Sequence, residues 1–559
     1  MQALKLPIGN DIFKKLREDG AYYVDKTGFI EELLSPHLPL VSLITRPRRF
    51  GKSLNMSMLA EFFDYRKKSA PLFQGLYIAG QETLCSTWMN TFPVLSLSLK
   101  NIEGASFSHA LAQFSELIQT LCDEHFYLLS SPRVSALMRK KLQSCYNGKA
   151  SEVELENALF TLCRALASHT DKSVIVLIDE YDVPLTSAFK NSYYAEMTAF
   201  VRALFGSAFK TNPYLKFALC TGCLRIAHES IFTGLNNFKC YSLDHPKYAD
   251  KFGFTAKEVT DLLTYAGIPE KRTNVQAWYD GYRFGSVQEI YCPWDVLNFI
   301  DDCLTDSSFP PQSYWSNTSS NDILLDFLRH TEFSIKDKWC ELLQGGHVFA
   351  RITENLTFDE LYVSEDHFWT ILYFTGYLTR TTNDAARKDM KTALVIPNQE
   401  IHELFVRAAN SWFTEHILRV DRSIFFAALW NEEADVLEKE LNRFLAQSIS
   451  YFDSHEDFCH GFLNGIFFNA GYDVTANYES GSGRPDLIVY DSDRNRVVII
   501  EVKHTKDATL FPSLPQKALK QIQSMQYAQP FTAKGIQHIL AYAIAFHKKE
   551  CLVQSRRLA

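Results

Sequence analysis

Residues 39–66 read PLVSLITRPRRFGKSLNMSMLAEFFDYR. The apolar run PLVSLIT (39–45) has the composition of a buried strand. SLNMSMLAEFFDYR (53–66) places Leu54, Met58, Leu59, Phe62 and Phe63 on one side of a helix. Between them, RPRRFGKS (46–53) ends as a phosphate-binding loop does. In such a loop, backbone N–H groups at a helix N-terminus cradle phosphate, a lysine pairs with it and a hydroxyl holds Mg²⁺. Gly51, Lys52 and Ser53 fit; Arg46 stands in place of the first glycine, so the loop's entrance is expected to take a different path. The expected nucleotide contacts are Arg46, Pro47, Arg48, Arg49, Phe50, Gly51, Lys52, Ser53 and Leu54, the arginines adding charge toward phosphate.

A second apolar run, SVIVLIDEYD (173–182), ends in acids, the form of a Walker B strand. Asp179 is expected to hold Mg²⁺ with Ser53, and Glu180 to orient or deprotonate the attacking water. Asp182 reads as structural. FPVLSLSL (92–99) and YLKFALCTG (214–222) are further strands. Strands apolar on both faces and separated by helices mean a parallel sheet covered on both sides, an α/β fold. The end of the last of them, CTG (220–222), offers Thr221 as a polar contact to the γ-phosphate or the water. Arg225 is a candidate for stabilising transition-state charge, in cis or across a subunit contact, which leaves a homo-oligomer open.

The chain has 559 residues, 46% hydrophobic and 22% charged, which excludes disordered, collagen-like and coiled-coil classes. It suggests about three domains. No apolar run approaches the ~18 residues of a membrane span, and MQALKLPIGNDIF at the start lacks a signal-peptide core. With twelve scattered cysteines, reduced thiols and a cytoplasmic location are expected, without a membrane partner. The lone close pair, Cys220 and Cys223, reads as small residues at a strand end rather than a zinc site. Net charge is −8, yet Arg484 to the end holds 12 basic and 6 acidic residues. A basic end on an acidic body suggests that a polyanion meets the C-terminal part.

That part contains GSGRPDLIVYDSDRNRVVIIEVKHTKD (481–507), two strands around the turn DSDRN. Folding at about residue 493 sets Asp486 roughly opposite Ile500 and beside Glu501. Glu501 and Lys503 share one sheet face while Val502 takes the other. Two carboxylates and an ammonium at this spacing suit Mg²⁺, with Mn²⁺ as an alternative, and a phosphodiester substrate. Asp486 and Glu501 are the expected metal ligands, and Lys503 the group acting on the water. The helical stretch HEDFCHGFLNGIFF (455–468) adds Glu456, and ALKQIQSMQYA (518–528) adds Gln521 with Lys517 and Lys520 nearby.

The pattern Pro485-Asp486…Glu501-Val502-Lys503 resembles the PD-(D/E)XK nuclease superfamily. Glu456 then matches its first-helix acid and Gln521 its glutamine motif. Taken whole, the chain resembles bacterial and archaeal proteins with an N-terminal AAA-ATPase-like domain and a C-terminal PD-(D/E)XK domain. The segments that carry the resemblance include YVDKTGFI (23–30), TRPRRFGKSL (45–54), LIDEYDVPL (177–185), WYDGYRFG (278–285), YCPWDVLNFI (291–300), IPNQEI (396–401) and GSGRPDLIV (481–489). Within that family the arginine-rich loop is characteristic. The departures, Cys292 and Ser319 among them, are expected outside both sites.

The resemblance implies three parts: a P-loop ATPase domain with a parallel sheet (1–245), a mainly helical lid or linker (246–445), and a C-terminal α/β restriction-endonuclease-like domain (446–559). The implied cofactors are ATP and Mg²⁺, and the implied partner is nucleic acid, DNA before RNA. The expected function is a nucleotide-controlled, metal-dependent nuclease. The rival is a signalling or scaffold ATPase whose nuclease-like domain binds without cutting. A DNA-translocating motor is a weaker third, since helicase-type motifs are lacking.

Overall fold

The computed structural model describes residues 4–35, 39–224, 238–315, 324, 328, 335–354, 356, 360, 364–381, 391–418, 421–446, 462–463, 466–467, 472–476, 485–548 and 550–559. The chain divides into two compact units, 1–318 with 349–401, and 319–348 with 402–559. The segment 246–445 is therefore shared between the units and is not a body of its own.

In the first unit the apolar runs are strands β1 (Val41–Thr45), β2 (Val94–Ser98), β3 (Val174–Asp179), β4 (Leu215–Gly222) and β5 (Phe238–Tyr241). They form one sheet in the order β2-β3-β4-β1-β5, and every pairing is parallel. All residues of β1 and β3 are buried, as a sheet covered on both faces requires. The order matters for chemistry. Because β4 lies between β1 and β3, its terminal Thr221 stands between the loop that leaves β1 and the acid that ends β3.

The following stretch is less purely helical than its sequence pattern suggests. Phe254–Thr255, Tyr282–Phe284 and Val287–Tyr291 make a small antiparallel sheet. The helices Ala256–Ala266, Arg272–Tyr279 and Pro293–Thr305 share a core with it that includes Leu263, Val275, Tyr279, Val296 and Phe299. Leu6, Ile8, Tyr22 and Val24 from the N-terminal segment pack against that core. The strand Tyr282–Phe284 falls inside WYDGYRFG, and Tyr282 packs edge-on against Phe50 at 4.9 Å. Gly281 has φ +99°, and a Cβ there would come 1.9 Å from the Pro397 carbonyl oxygen, so this turn admits only glycine.

The second unit carries β6 (Asp473–Ala476), β7 (Leu487–Asp491), β8 (Arg496–His504), β9 (His538–His547) and β10 (Glu550–Arg557), adjacent in that order. Only β8 and β9 pair in parallel. One face packs Ile488, Val497, Ile499 and Ala541 under Ala518 and Ile522 of the helix Leu514–Ser524. Tyr542, of opposite parity to Ala541, donates to the Leu429 carbonyl of the helix Ser423–Trp430 at 2.8 Å. The edge strands β6 and β10 are absent from the sequence expectation. β10, ECLVQSRR, carries the charges that keep an edge from pairing further and so lacks an apolar run. Of the helix expected over 455–468, the described residues are Phe462, Leu463, Ile466 and Phe467, all buried.

Candidate functional site

Gly51 caps the helix Lys52–Phe63 with φ +82°, a left-handed conformation that lets the chain turn from loop to helix. A helix start here leaves backbone N–H groups without intrahelical partners, the arrangement that binds anions. Lys52 is buried, and its ammonium donates to the carbonyls of Arg46 at 3.0 Å and Pro47 at 2.8 Å. It also lies 3.5 Å from the Cys223 sulfur. Ser53 Oγ donates to Asp179 Oδ2 at 2.6 Å, and Thr221 Oγ1 donates to the other carboxylate oxygen. Serine hydroxyl, threonine hydroxyl and carboxylate are hard oxygen donors, a set that fits Mg²⁺.

Glu180 follows Asp179 with φ +54°, outside the usual range for a non-glycine residue. Burial pushes its carboxyl above the ordinary glutamate range, with Lys52 opposing the shift. Tyr181 N–H donates to the Thr221 carbonyl at 3.0 Å, which ties this bend to the end of β4. Asp182 accepts the N–H groups of Cys223 at 2.9 Å and Leu224 at 3.0 Å, the structural role expected of it.

The arginines divide. Arg46 is fully buried and hydrogen-bonds the carbonyls of Thr45 (2.7 Å), Tyr241 (3.1 Å), Ser242 (3.1 Å) and Tyr248 (3.2 Å). Its guanidinium lies 5.3 Å from the ring centroids of both Phe252 and Phe284. Burial lowers its pKa to about 10. This side chain locks the loop entrance to the sheet and is not free to meet phosphate, which corrects the contact expected of it. Arg49 sits 5.1 Å from the Trp294 ring centroid and donates to the Tyr314 carbonyl at 3.3 Å. Arg48 is exposed, while Pro47 and Phe50 are buried. Cys292, expected outside the sites, places its sulfur 3.9 Å from the Arg49 carbonyl oxygen. Arg225 lies outside the described residues.

Arg49, Phe50, Gly51, Lys52, Ser53, Leu54 and Glu180 line one cavity of about 300 Å³. Its remaining walls come from residues within 7–26, from Asn55 and from residues within 251–297; YVDKTGFI and YCPWDVLNFI contribute to them, but nothing in the sequence shows that these segments meet.

In the second unit, β7 and β8 pair with Leu487 opposite Ile500 and Asp491 opposite Arg496. This register places Asp486 across from Glu501 itself, one residue beyond the position expected. The cause is a four-residue turn, 492–495, closed by Asn495 at φ +48° and by Arg494 N–H donating to Asp491. Asp486 Oδ2 accepts the Val502 N–H at 2.7 Å. Glu501 is 1% exposed; its Oε1 accepts Lys503 Nζ at 2.8 Å and also Gln521 Nε2. Its Oε2 is buried with no hydrogen-bond partner among the described residues. Burial raises the Glu501 pKa, and the Lys503 hydrogen bond opposes that rise.

An orphaned buried carboxylate oxygen beside a second carboxylate fits a divalent cation, which would satisfy it. Among the described residues no group of three or more His, Cys, Asp or Glu side chains converges to hold a metal. Glu456, the third acid expected here, lies outside them. On β9, Ala543 is paired with Glu501 and Ala545 with Lys503, so small side chains flank the site. Lys517 and Lys520 are exposed on the helix that delivers Gln521.

Residues 7–232 match the predicted AAA-ATPase family, and residues 454–556 match the PD-(D/E)XK nuclease superfamily. An uncharacterized protein in the vnfD 5′ region of Azotobacter chroococcum mcd 1 is 29% identical over 331 residues. The match covers 59% of this chain and 57% of that protein's length. No described helix is long and apolar enough to cross a membrane.

Proposed function

This chain joins an AAA-ATPase-like domain to a C-terminal domain of the PD-(D/E)XK nuclease superfamily, and on that premise we propose that it is a nucleotide-controlled, metal-dependent nuclease acting on DNA. The observation that carries the reading is Glu501, a buried carboxylate with one oxygen unpartnered among the described residues, opposite Asp486 and bonded to Lys503. Asp486 and Glu501 would hold Mg²⁺ or Mn²⁺, which supplies Lewis-acid stabilisation of phosphodiester charge when bound. Lys503 anchors one ammonium proton on Glu501 and presents the others to the attacking water or a phosphate oxygen. Gln521 fixes the Glu501 rotamer. The exposed Lys517 and Lys520 offer charge to the DNA backbone, in keeping with a basic C-terminal end.

In the other unit, Lys52 and the helix N-terminus hold the ATP phosphates, and Ser53 and Asp179 hold its Mg²⁺. Thr221 orients Asp179. Glu180, whose carboxyl burial shifts above the ordinary glutamate range, takes the proton of the attacking water as a carboxylate. ATP binding and turnover then control cleavage in the cytoplasm.

Calorimetric titration with Mn²⁺ tests the nuclease site first. Wild-type protein is expected to bind the ion, Asp486→Ala to bind it weakly and Glu501→Ala not at all. Failure of the wild type to bind any divalent ion at this site removes the metal-dependent reading. Metal binding without cleavage of any DNA leaves a binding module on a signalling or scaffold ATPase.

A further inference from the structure

The cavity that begins at Gly51, Lys52 and Ser53 extends past the phosphate loop into a chamber of different character. There its walls are mostly apolar, Ile8, Val24, Phe254 and Leu297 with the rings of Tyr22, Tyr23 and Trp294, and Asn10 and Asp11 add polar groups. The whole cavity, its phosphate-loop end included, measures about 300 Å³, at the small end of ligand pockets. The cations at the chamber end are already engaged. Lys26 is bonded to Glu258 at 2.6 Å, and Lys251 to Asp250 at 3.0 Å. A further anion finds little to attract it, whereas a planar apolar group does.

The walls are fixed before any ligand arrives. Phe13 N–H donates to Ser57 Oγ on the phosphate-loop helix at 3.0 Å, and Tyr22 N–H to the Lys5 carbonyl at 2.8 Å. These bonds strap the N-terminal segment across the helix start. Trp294 sits in the first turn of Pro293–Thr305, beside Pro293, and carries the Arg49 guanidinium 5.1 Å from its ring centroid. A cation over an indole pins the ring, so Trp294 offers a pre-set surface next to the phosphate loop.

We propose that this chamber is the nucleoside site, with the Trp294 indole as the surface against which the base packs and Arg49 as the residue that positions that indole. The inference rests on the nucleotide reading of the phosphate loop. It adds that recognition reaches beyond phosphate, and it favours adenine. Guanine would bring a ring N–H and a carbonyl as well as an amine into walls that are apolar apart from Asn10 and Asp11, and each polar group left unpartnered costs affinity.

Calorimetry on the full chain with Mg²⁺, comparing ATP, GTP and inorganic tripolyphosphate, separates the two ideas. Wild type is expected to bind ATP more tightly than either competitor. Trp294→Ala should lower ATP affinity about tenfold or more, the worth of a base–aromatic stack, and leave tripolyphosphate unchanged. Ile8→Trp, which fills the chamber, should do the same, and Trp294→Phe should keep most ATP affinity. Retained tripolyphosphate binding certifies that each variant is folded. The proposal is overturned if wild type binds tripolyphosphate as tightly as ATP, or if both variants bind ATP normally. Loss of both ligands on Lys52→Ala alone, with the chamber variants unaffected, keeps the phosphate loop and discards the chamber. Wild type that binds neither ligand removes the nucleotide reading itself.

Discussion

Ser53 Oγ and Asp179 Oδ2 lie 2.6 Å apart, joining the first turn of the phosphate-loop helix to the end of β3. With Thr221 on the other oxygen, the Asp179 carboxylate is held from both sides by hydroxyls. β4 makes this arrangement by lying between the two strands whose ends carry the motif. The carboxylate is thus pre-oriented, and Thr221 would act through it on a cation bound there. Thr221→Val is expected to lower Mg²⁺ affinity of the ATP-bound protein about tenfold, as loss of a supporting hydrogen bond does at other metal sites. Titrating Mg²⁺ against a fixed concentration of ATP and protein reads this directly.

Glu180 is expected to govern turnover and not binding. Glu180→Gln should retain ATP affinity and lose roughly 10²–10⁴-fold in hydrolysis rate, the usual worth of a general base. Since burial raises the Glu180 pKa, the carboxylate forms only at a higher pH than an ordinary glutamate requires. The wild-type rate should therefore fall on the acid side earlier than an unperturbed glutamate would make it. That limb should vanish in the residual activity of Glu180→Gln.

Arg46 is expected to control stability alone. Removing its guanidinium leaves four buried carbonyls short of a donor, so Arg46→Ala should cost about 3 kcal/mol and lower the melting temperature. Lysine lacks the planar fork and should not rescue it. Well below the melting temperature, ATP affinity should match wild type. A stable Arg46→Ala protein that has lost ATP would return this residue to the phosphate site.

These cases show what was legible in the sequence. Apolar runs bounded by turn residues located β1 to β4, because strands wholly buried, as β1 and β3 are, or mostly so, as β2 and β4 are, must be largely apolar. Three neighbouring arginines carried no sign of which one points inward. The contacts of Arg46 come from Tyr241, Ser242 and Tyr248, some 200 residues away. The Asp486 and Glu501 pairing was one residue off because a four-residue turn and a three-residue turn look alike in DSDRN. Ile8 and Tyr22 belong to no motif, Trp294 lies in YCPWDVLNFI with no sign of its partners, and only the folded chain brings the three to one cavity.

Glu501 is expected to couple activity and stability. Its folded-state pKa is raised by burial, so the ionised form costs stability at neutral pH. That cost is present above the folded pKa and fades as pH falls toward about 4, where the unfolded chain also protonates. Glu501→Gln can keep the bonds from Lys503 and Gln521 on its carbonyl oxygen while an amide replaces the orphaned Oε2. The variant should melt higher than wild type at pH 8 in the absence of metal, by a margin that shrinks toward pH 4, and should not cut DNA. Equal melting temperatures across that range would show that the site does not store this cost.

The most direct test of the whole account is plasmid cleavage in Mg²⁺, with and without ATP, by wild type, Lys52→Ala and Asp486→Ala. A nucleotide-controlled nuclease predicts cleavage by wild type that changes with ATP, no response to ATP in Lys52→Ala, and no cleavage by Asp486→Ala. Cleavage that persists in Asp486→Ala, or wild-type cleavage indifferent to ATP, would contradict it.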